Sequence, residues 1–320
     1  MNIYFYPPSD ERNDYVKRMI GYLSEFCEVT CVESAVDAAK KSFKNGRPDF
    51  VVINWPENSS VNSSGSISLF SLFGLVIKLL LFRLAAKNLI YFKHNFYPHR
   101  IRSKSRFIGE FAVRVAEIVS NKVVVHNPCV ANRRSYYYVP HPLYLLNGES
   151  PDFEINFDDY YVIFGRVERY KNIVEIIKAW PNDKNLIVAG SGDKAYSEEI
   201  FLEMRDKKNI VFINKFIDNS FASSLIKKSS GVIIANREDS CLVSGTFFFS
   251  ISCGKRVFCL RSEFYDWVRS EMGENVVVSD DLVGIVGNLD SDVCNDDCEG
   301  VREGLFGDVA VKNSLRCLLE

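Results

Sequence analysis

The chain has 320 residues, of which 47% are hydrophobic and 25% charged, with a formal net charge of −2. That length favours two domains over one, the apolar content excludes a disordered chain, and the near-neutral balance argues against a dedicated nucleic-acid binder. The average conceals a basic block. Between Val61 and Arg134 twelve lysines and arginines stand against two carboxylates, Glu110 and Glu117. Such a block implies an anionic partner: a phosphate, a diphosphate or a membrane surface.

From the first residue, short β-branched or aromatic runs alternate with longer amphipathic stretches. Asn2–Tyr6, Glu28–Val32, Phe50–Asn54, Asn88–Phe92 and Lys122–His126 read as strands. The opening residues read as a strand and a turn rather than a targeting peptide. Nine cysteines without a C-x-x-C pair fit reduced thiols in the cytoplasm. Ile67–Ala86 is an apolar stretch whose only charges are Lys78 and Arg83. Its length suggests a membrane span. A cation near its middle and its place between the third and fourth strands argue instead for a crossover helix with one face on the sheet. Leu69, Phe70, Phe73, Leu80, Leu81 and Phe82, followed by the cations Arg100, Arg102, Lys104 and Arg106, are then expected to meet an anionic bilayer surface peripherally.

The alternation lapses between His141 and Asp159 and restarts with Tyr160–Phe164, Asn185–Ala189, Ile210–Ile213, Gly231–Ala235, Arg256–Leu260 and Asn275–Val278. The reading is α/β: two doubly wound, Rossmann-like domains, 1–148 and 149–320. Ligands of such sheets sit beyond the carboxyl ends of the strands. The loops there lack G-x-G-x-x-G, G-x-x-x-x-G-K-[ST] and G-x-S-x-G, which argues against a dinucleotide enzyme of the usual kind, a P-loop protein and a hydrolase. Asp290-Ser291-Asp292 spells a D-x-D, but within an acidic tract with no strand before it, so it reads as a solvated loop. No metal site is expected.

After Tyr160–Phe164 comes Gly165-Arg166-Val167-Glu168-Arg169-Tyr170-Lys171-Asn172. The glycine admits close backbone approach, and Arg166 and Lys171 are suited to gripping a diphosphate. A second flexible turn, Ala189-Gly190-Ser191-Gly192-Asp193, follows the next strand. Later, Glu238-Asp239-Ser240 precedes Ser244-Gly245-Thr246, which reads as a helix N-terminus that favours phosphate.

The order GRVERYKN, AGSGD, NIVFINKF and EDSCLVSGTFFFSISCGKRVF resembles the donor domain of GT-B glycosyltransferases that build lipopolysaccharide, capsule and exopolysaccharide, with the similarity carried by residues 160–262. The resemblance implies two domains facing a central cleft, with the last helix able to pack back on the first. It implies that Arg166 and Lys171 hold the diphosphate of a UDP- or GDP-linked sugar, and that Gly165, Gly190 and Gly192 shape the site. Ser244, Gly245 and Thr246 would meet phosphate or ribose, and the backbone near Phe216 and Ile217 the base. Glu238 matches the first glutamate of the family's Glu-x7-Glu motif, near the donor sugar; Thr246 stands where the second would be. Beyond the nucleotide-sugar substrate no cofactor is implied.

In the first half Asn54-Trp55-Pro56-Glu57, Lys93-His94-Asn95 with Pro98-His99, and His126-Asn127-Pro128 all follow strands, and they resemble segments of some polysaccharide glycosyltransferases. Transfer to a hydroxyl needs a base, and a carboxylate or imidazole supplies one. Glu57 is the first candidate, with His94 and Asp10 in reserve. The activity expected is transfer of a sugar to a lipid-linked glycan at the inner membrane surface, with inversion favoured by the missing glutamate. A UDP-sugar epimerase and a non-catalytic nucleotide-sugar or glycan-binding protein are the alternatives.

Overall fold

The computed structural model describes residues 1–9, 13–62, 65–98, 101, 105–146, 157–236, 242–291 and 298–320. The chain divides into two compact units. The first is built on Met1–Pro142 and takes in Leu242, Val243 and Phe306–Glu320; the second spans Leu143–Glu238 and Ser244–Leu305.

The first unit carries β1 (Asn2–Tyr6), β2 (Glu28–Cys31), β3 (Phe50–Asn54), β4 (Asn88–Phe92), β5 (Lys122–Val125) and β6 (Tyr137–Tyr138). They pair in parallel in the order β2-β1-β3-β4-β5-β6. Its helices are α1 (Asp14–Ser24), α2 (Ala35–Asn45), α3 (Leu69–Ala85), α4 (Arg106–Val119), α5 (Pro128–Arg134) and the last helix of the chain, α13 (Asp308–Leu319). The pleat sorts the strand side chains. Ile3, Phe5, Phe50, Val52, Ile90 and Phe92 turn to α1 and α13, whereas Tyr4, Val51, Ile53, Leu89 and Tyr91 turn to α2, α3 and α4. Burial on both faces is why these strands read as unbroken apolar runs.

A Ser68–Ser71 capping box opens α3, satisfying two backbone donors reciprocally. Leu75, Leu79, Phe82 and Ala85 form its inner face, while Leu69, Phe70, Phe73, Ile77, Leu80 and Leu84 are exposed. Phe82, expected on the outer face, is instead fully buried, because it follows Leu75 and Leu79 at helical spacing. Among the described residues no helix is long and apolar enough to cross a membrane. On the other face α13 docks on α1: Asp308 Oδ1 accepts from Arg18 Nη2 at 2.6 Å and from the Tyr22 hydroxyl at 2.8 Å, over a contact made by Val311, Leu315 and Leu318.

The second unit carries β7 (Tyr161–Phe164), β8 (Leu186–Ala189), β9 (Ile210–Ile213), β10 (Gly231–Ile234), β11 (Val257–Leu260) and β12 (Val276–Ser279), with α6 (Ile173–Ala179), α7 (Lys194–Glu203), α8 (Asn219–Lys228), α9 (Gly245–Ser252), α10 (Glu263–Met272), α11 (Leu282–Gly287) and α12 (Cys298–Phe306). The strands are parallel in the order β12-β11-β10-β7-β8-β9. Read from the β9 edge this is the order of a dinucleotide-binding sheet, and it reverses between β7 and β10.

Candidate functional site

In the second unit the chemistry gathers where the strand order reverses. Gly165 leaves β7 at φ 100°, a conformation that favours glycine. The loops after β7 and β8 then continue to pair beyond the strands: Gly165 N donates to Ala189 O at 3.0 Å and Val167 N to Ser191 O at 2.9 Å. A Cβ on Gly190 would lie 1.8 Å from Gly165 O, and one on Gly192 2.3 Å from Val167 O. These two glycines therefore shape the loops by letting one backbone close on another. Asn172 Nδ2 donates to Ala235 O at 2.5 Å, tying the same loop to the end of β10.

Above Gly165 two polar groups converge. A Cβ there would stand 3.1 Å from Lys171 Nζ and 3.5 Å from Thr246 Oγ1. Lys171 is 7% exposed, its ammonium donating to Phe164 O at 2.9 Å. Thr246 lies in the first turn of α9, whose N-cap, Ser244, makes no side-chain capping bond; the first-turn N–H groups and the positive helix end suit an anion. Tyr144 was not singled out from the sequence, because it sits outside any strand-end motif. Its N–H donates to Ser252 Oγ at 2.8 Å, and its hydroxyl comes within 3.3 Å of a Cβ placed on Gly245. Ammonium, two hydroxyls and a helix N-terminus on one sheet edge make a cradle for a phosphate or diphosphate.

Arg166, next in the chain after Gly165, is exposed, with its Nε 3.7 Å from Glu168 Oε1. After β9, Ile217 is buried and Phe216 is 72% exposed, presenting a phenyl ring at the same edge. Glu238 lies outside the described residues, as do Asp10, His99 and the cations Arg100, Arg102 and Lys104. Among the described residues no group of three or more His, Cys, Asp or Glu side chains is placed to hold a metal. Asp290 forms an ion pair with Lys184.

In the first unit three histidines meet around Tyr15, at the carboxyl edge of the sheet. His94, His126 and His141 lie 5.0, 5.3 and 5.2 Å from the Tyr15 ring. The hydrogen bonds fix the protons. His126 Nδ1 donates to the Val139 carbonyl at 2.7 Å, so its Nε2 accepts from the Tyr15 hydroxyl at 2.9 Å. Asn54 Nδ2 donates to Tyr6 O at 3.2 Å, which turns its Oδ1 to accept from His94 Nε2 at 3.0 Å. Burial pushes the His126 imidazole down to about 4 and holds His141 well below its ordinary value, with the neighbouring His126 adding to the effect. Both are therefore neutral scaffolding. His94 is the partly exposed member, and the Trp55 ring stacks on it at 4.2 Å and 21°. Trp55 holds a left-handed backbone, φ 49°, rare for a bulky residue and a form of strain found at functional sites.

That turn at Trp55 sends Glu57 inward. Glu57 is 0% exposed, and its Oε2 accepts from the Tyr91 hydroxyl at 3.0 Å on the α2–α3–α4 side of the sheet. Burial, and then the Glu57 charge, push the Tyr91 phenol well up, so it stays a donor. A base must reach the hydroxyl it deprotonates, and an interior carboxylate does not. Of the two described base candidates, Glu57 is interior and His94 partly exposed.

No protein-family model matches the sequence, and no curated protein matches it. Solved structures do. The chain is similar to the Anabaena protein HepE in complex with UDP and glucose, at a TM-score of 0.65 and 12% identity, covering 100% of this chain and 99% of that one; HepE is also solved with UDP-glucose. It is similar to AviGT4, a glycosyltransferase involved in avilamycin A biosynthesis (TM-score 0.61, 13% identity, 99% and 98% covered). The lipopolysaccharide outer core galactosyltransferase WaaB is a third (TM-score 0.63, 11% identity, 99% and 98% covered). The fold is GT-B. Fold alone does not give function; the candidate sites in this chain are the Lys171–Thr246 convergence and the His94 cluster.

Proposed function

We propose that this protein is a glycosyltransferase taking a sugar from a UDP-linked donor to a glycan hydroxyl. The observation that carries the reading is the convergence of Lys171 Nζ and Thr246 Oγ1 over Gly165, at the point where a dinucleotide-type strand order reverses. That cradle suits the diphosphate, whose charge grows as it leaves. HepE, of the same fold, binds UDP and UDP-glucose, which supports uridine as the nucleoside. Phe216 offers a ring against the base.

In the transfer, the acceptor oxygen forms its bond to the anomeric carbon as the bond to the diphosphate oxygen breaks. The hydroxyl proton passes to His94, whose ring is oriented by Asn54 and Trp55. The nucleoside diphosphate leaves with its charge met by Lys171 and the α9 N-terminus. A single displacement of this kind inverts the anomeric centre, and Thr246 in place of a second glutamate accords with it.

The acceptor is lipid-linked and belongs to bacterial surface polysaccharide synthesis. The likeness to WaaB supports the pathway class, and the exposed stripe Leu69, Phe73, Ile77, Leu80 and Leu84 on α3 supports a bilayer contact. The protein then works on the cytoplasmic face of the membrane without crossing it.

The test is UDP release from UDP-sugars with and without a lipid-linked acceptor. Release that depends on acceptor is expected. UDP-sugar turnover to an epimer without release points to the epimerase, and no turnover with intact UDP binding points to a non-catalytic binder; either result sinks the transferase reading.

A further inference from the structure

Beside α4 the first unit holds a cavity of about 550 Å³, within the size range of ligand sites. Four cations line it, Lys93, Arg106, Arg114 and Arg134, against two carboxylates, Glu110 and Glu117. Glu117 is spent twice over: Oε1 accepts from Lys93 at 2.6 Å and Oε2 from Arg114 at 2.7 Å. Burial would raise the Glu117 carboxyl, but those bonds outweigh it and hold the group below its ordinary value. Arg106 pairs with Glu110 at 3.0 Å, while Arg134 is exposed with no carboxylate in ion-pair range among the described residues. The cavity therefore carries an excess of positive charge, mostly on guanidinium groups whose forked donors match phosphate oxygens.

Its rim has the opposite character. Phe107 is 83% exposed and Phe111 53% exposed; both line the cavity, and Ile118 continues exposed farther along the same helix. A free anion would leave the phenyl groups in water, and a purely apolar partner would leave the charge unmatched. An occupant that is anionic at one end and apolar at the other answers both. We infer that this cavity receives the phosphate headgroup of an anionic membrane phospholipid, with Phe107 and Phe111 beside the start of the acyl chains. The inference rests on the reading that the first unit meets a bilayer, and it assigns the lipid a built site instead of a diffuse attraction.

Flotation of the full chain with phosphatidylcholine vesicles, and with phosphatidylcholine–phosphatidylglycerol vesicles, tests it. The wild type is expected to prefer the anionic vesicles by about tenfold or more. Arg114→Gln with Arg134→Gln, both on exposed side chains, removes most of that preference and keeps the residual binding to phosphatidylcholine. Lys208→Gln with Lys227→Gln in the second unit makes the same charge change and keeps the preference. If the Arg114/Arg134 variant retains the wild-type preference, the cavity is not the headgroup site, although the bilayer contact stands. Equal loss in both variants also overturns the site, in favour of diffuse charge. A wild type that floats with neither vesicle defeats the bilayer reading and this inference with it, and turns the surface over to a protein partner.

Discussion

His94 and Glu57 both stand just beyond strands of the first sheet, yet one side chain reaches solvent and the other ends beneath Tyr91. Their substitutions should separate accordingly. His94→Ala is expected to lower turnover by about a hundredfold to ten-thousandfold with UDP affinity unchanged, whereas Glu57→Gln keeps near-normal turnover and shows its effect in thermal stability. Steady-state kinetics beside UDP titration checks both, and normal turnover in His94→Ala would dismiss it as the base. Lys171→Ala gives the complementary pattern: loss of a charge-assisted bond worth about 1.5–3 kcal/mol weakens UDP binding roughly tenfold or more, measured by calorimetry. Thr246→Ala should weaken it less, since a neutral hydroxyl bond is worth only about 0.5–1.5 kcal/mol.

The buried imidazole of His126 also makes a pH prediction. Its pKa in the folded protein, about 4, lies below its ordinary value of 6.5. Between those values the unfolded chain binds the proton and the folded one does not. The stabilisation is thus complete above the unfolded value and is lost as pH falls toward 4, by up to about 1.4 kcal/mol per pH unit. His141 acts in the same direction. Melting temperature should drop through this window, and His126→Gln should flatten the slope; an unchanged slope would show that other groups govern it.

At the scale of elements, a strand-end loop and a helix illustrate how much packing decides. Gly190 at φ 152°, with Gly165 O in the place of any Cβ, leaves no room for alanine. Gly190→Ala should cost on the order of 1–3 kcal/mol or more and disturb UDP binding through the Gly165 loop, whereas Gly287→Ala, with nothing near its Cβ position, should be tolerated. Along α3, Phe82→Ala should cost about 3–5 kcal/mol. Phe73→Ser on the exposed face should leave stability nearly unchanged and reduce vesicle binding. Denaturant unfolding distinguishes them, and equal costs would contradict the inward and outward faces assigned here.

For the whole molecule, each unit has its own core, and the proposed UDP cradle belongs to the second. Saturating UDP at about a hundred times its dissociation constant should add roughly 2.7 kcal/mol to the stability of the state that binds it. Scanning calorimetry should show that gain in wild type and its loss in Lys171→Ala. A gain preserved in that variant would place the nucleotide elsewhere.

What the sequence determined by itself is what depends on local pattern. Parallel strands covered on both faces must be apolar throughout, so β1, β3, β4 and most of the second sheet were legible as runs, and the glycines after β7 and β8 marked the loops that matter. β6 was not legible, since a run of two residues, Tyr137–Tyr138, becomes a strand through its pairing with Val124 and Val125. Only the tertiary structure decided that α13 belongs to the first unit, because that follows from its buried contact with α1. Only it assigned His94 to the surface and Glu57 to the interior, because one backbone torsion at Trp55 redirects the residues that follow. And only it gathered Lys93, Arg106, Arg114 and Arg134 around one cavity, because cations spread along a chain become a site only when folding fixes their distances.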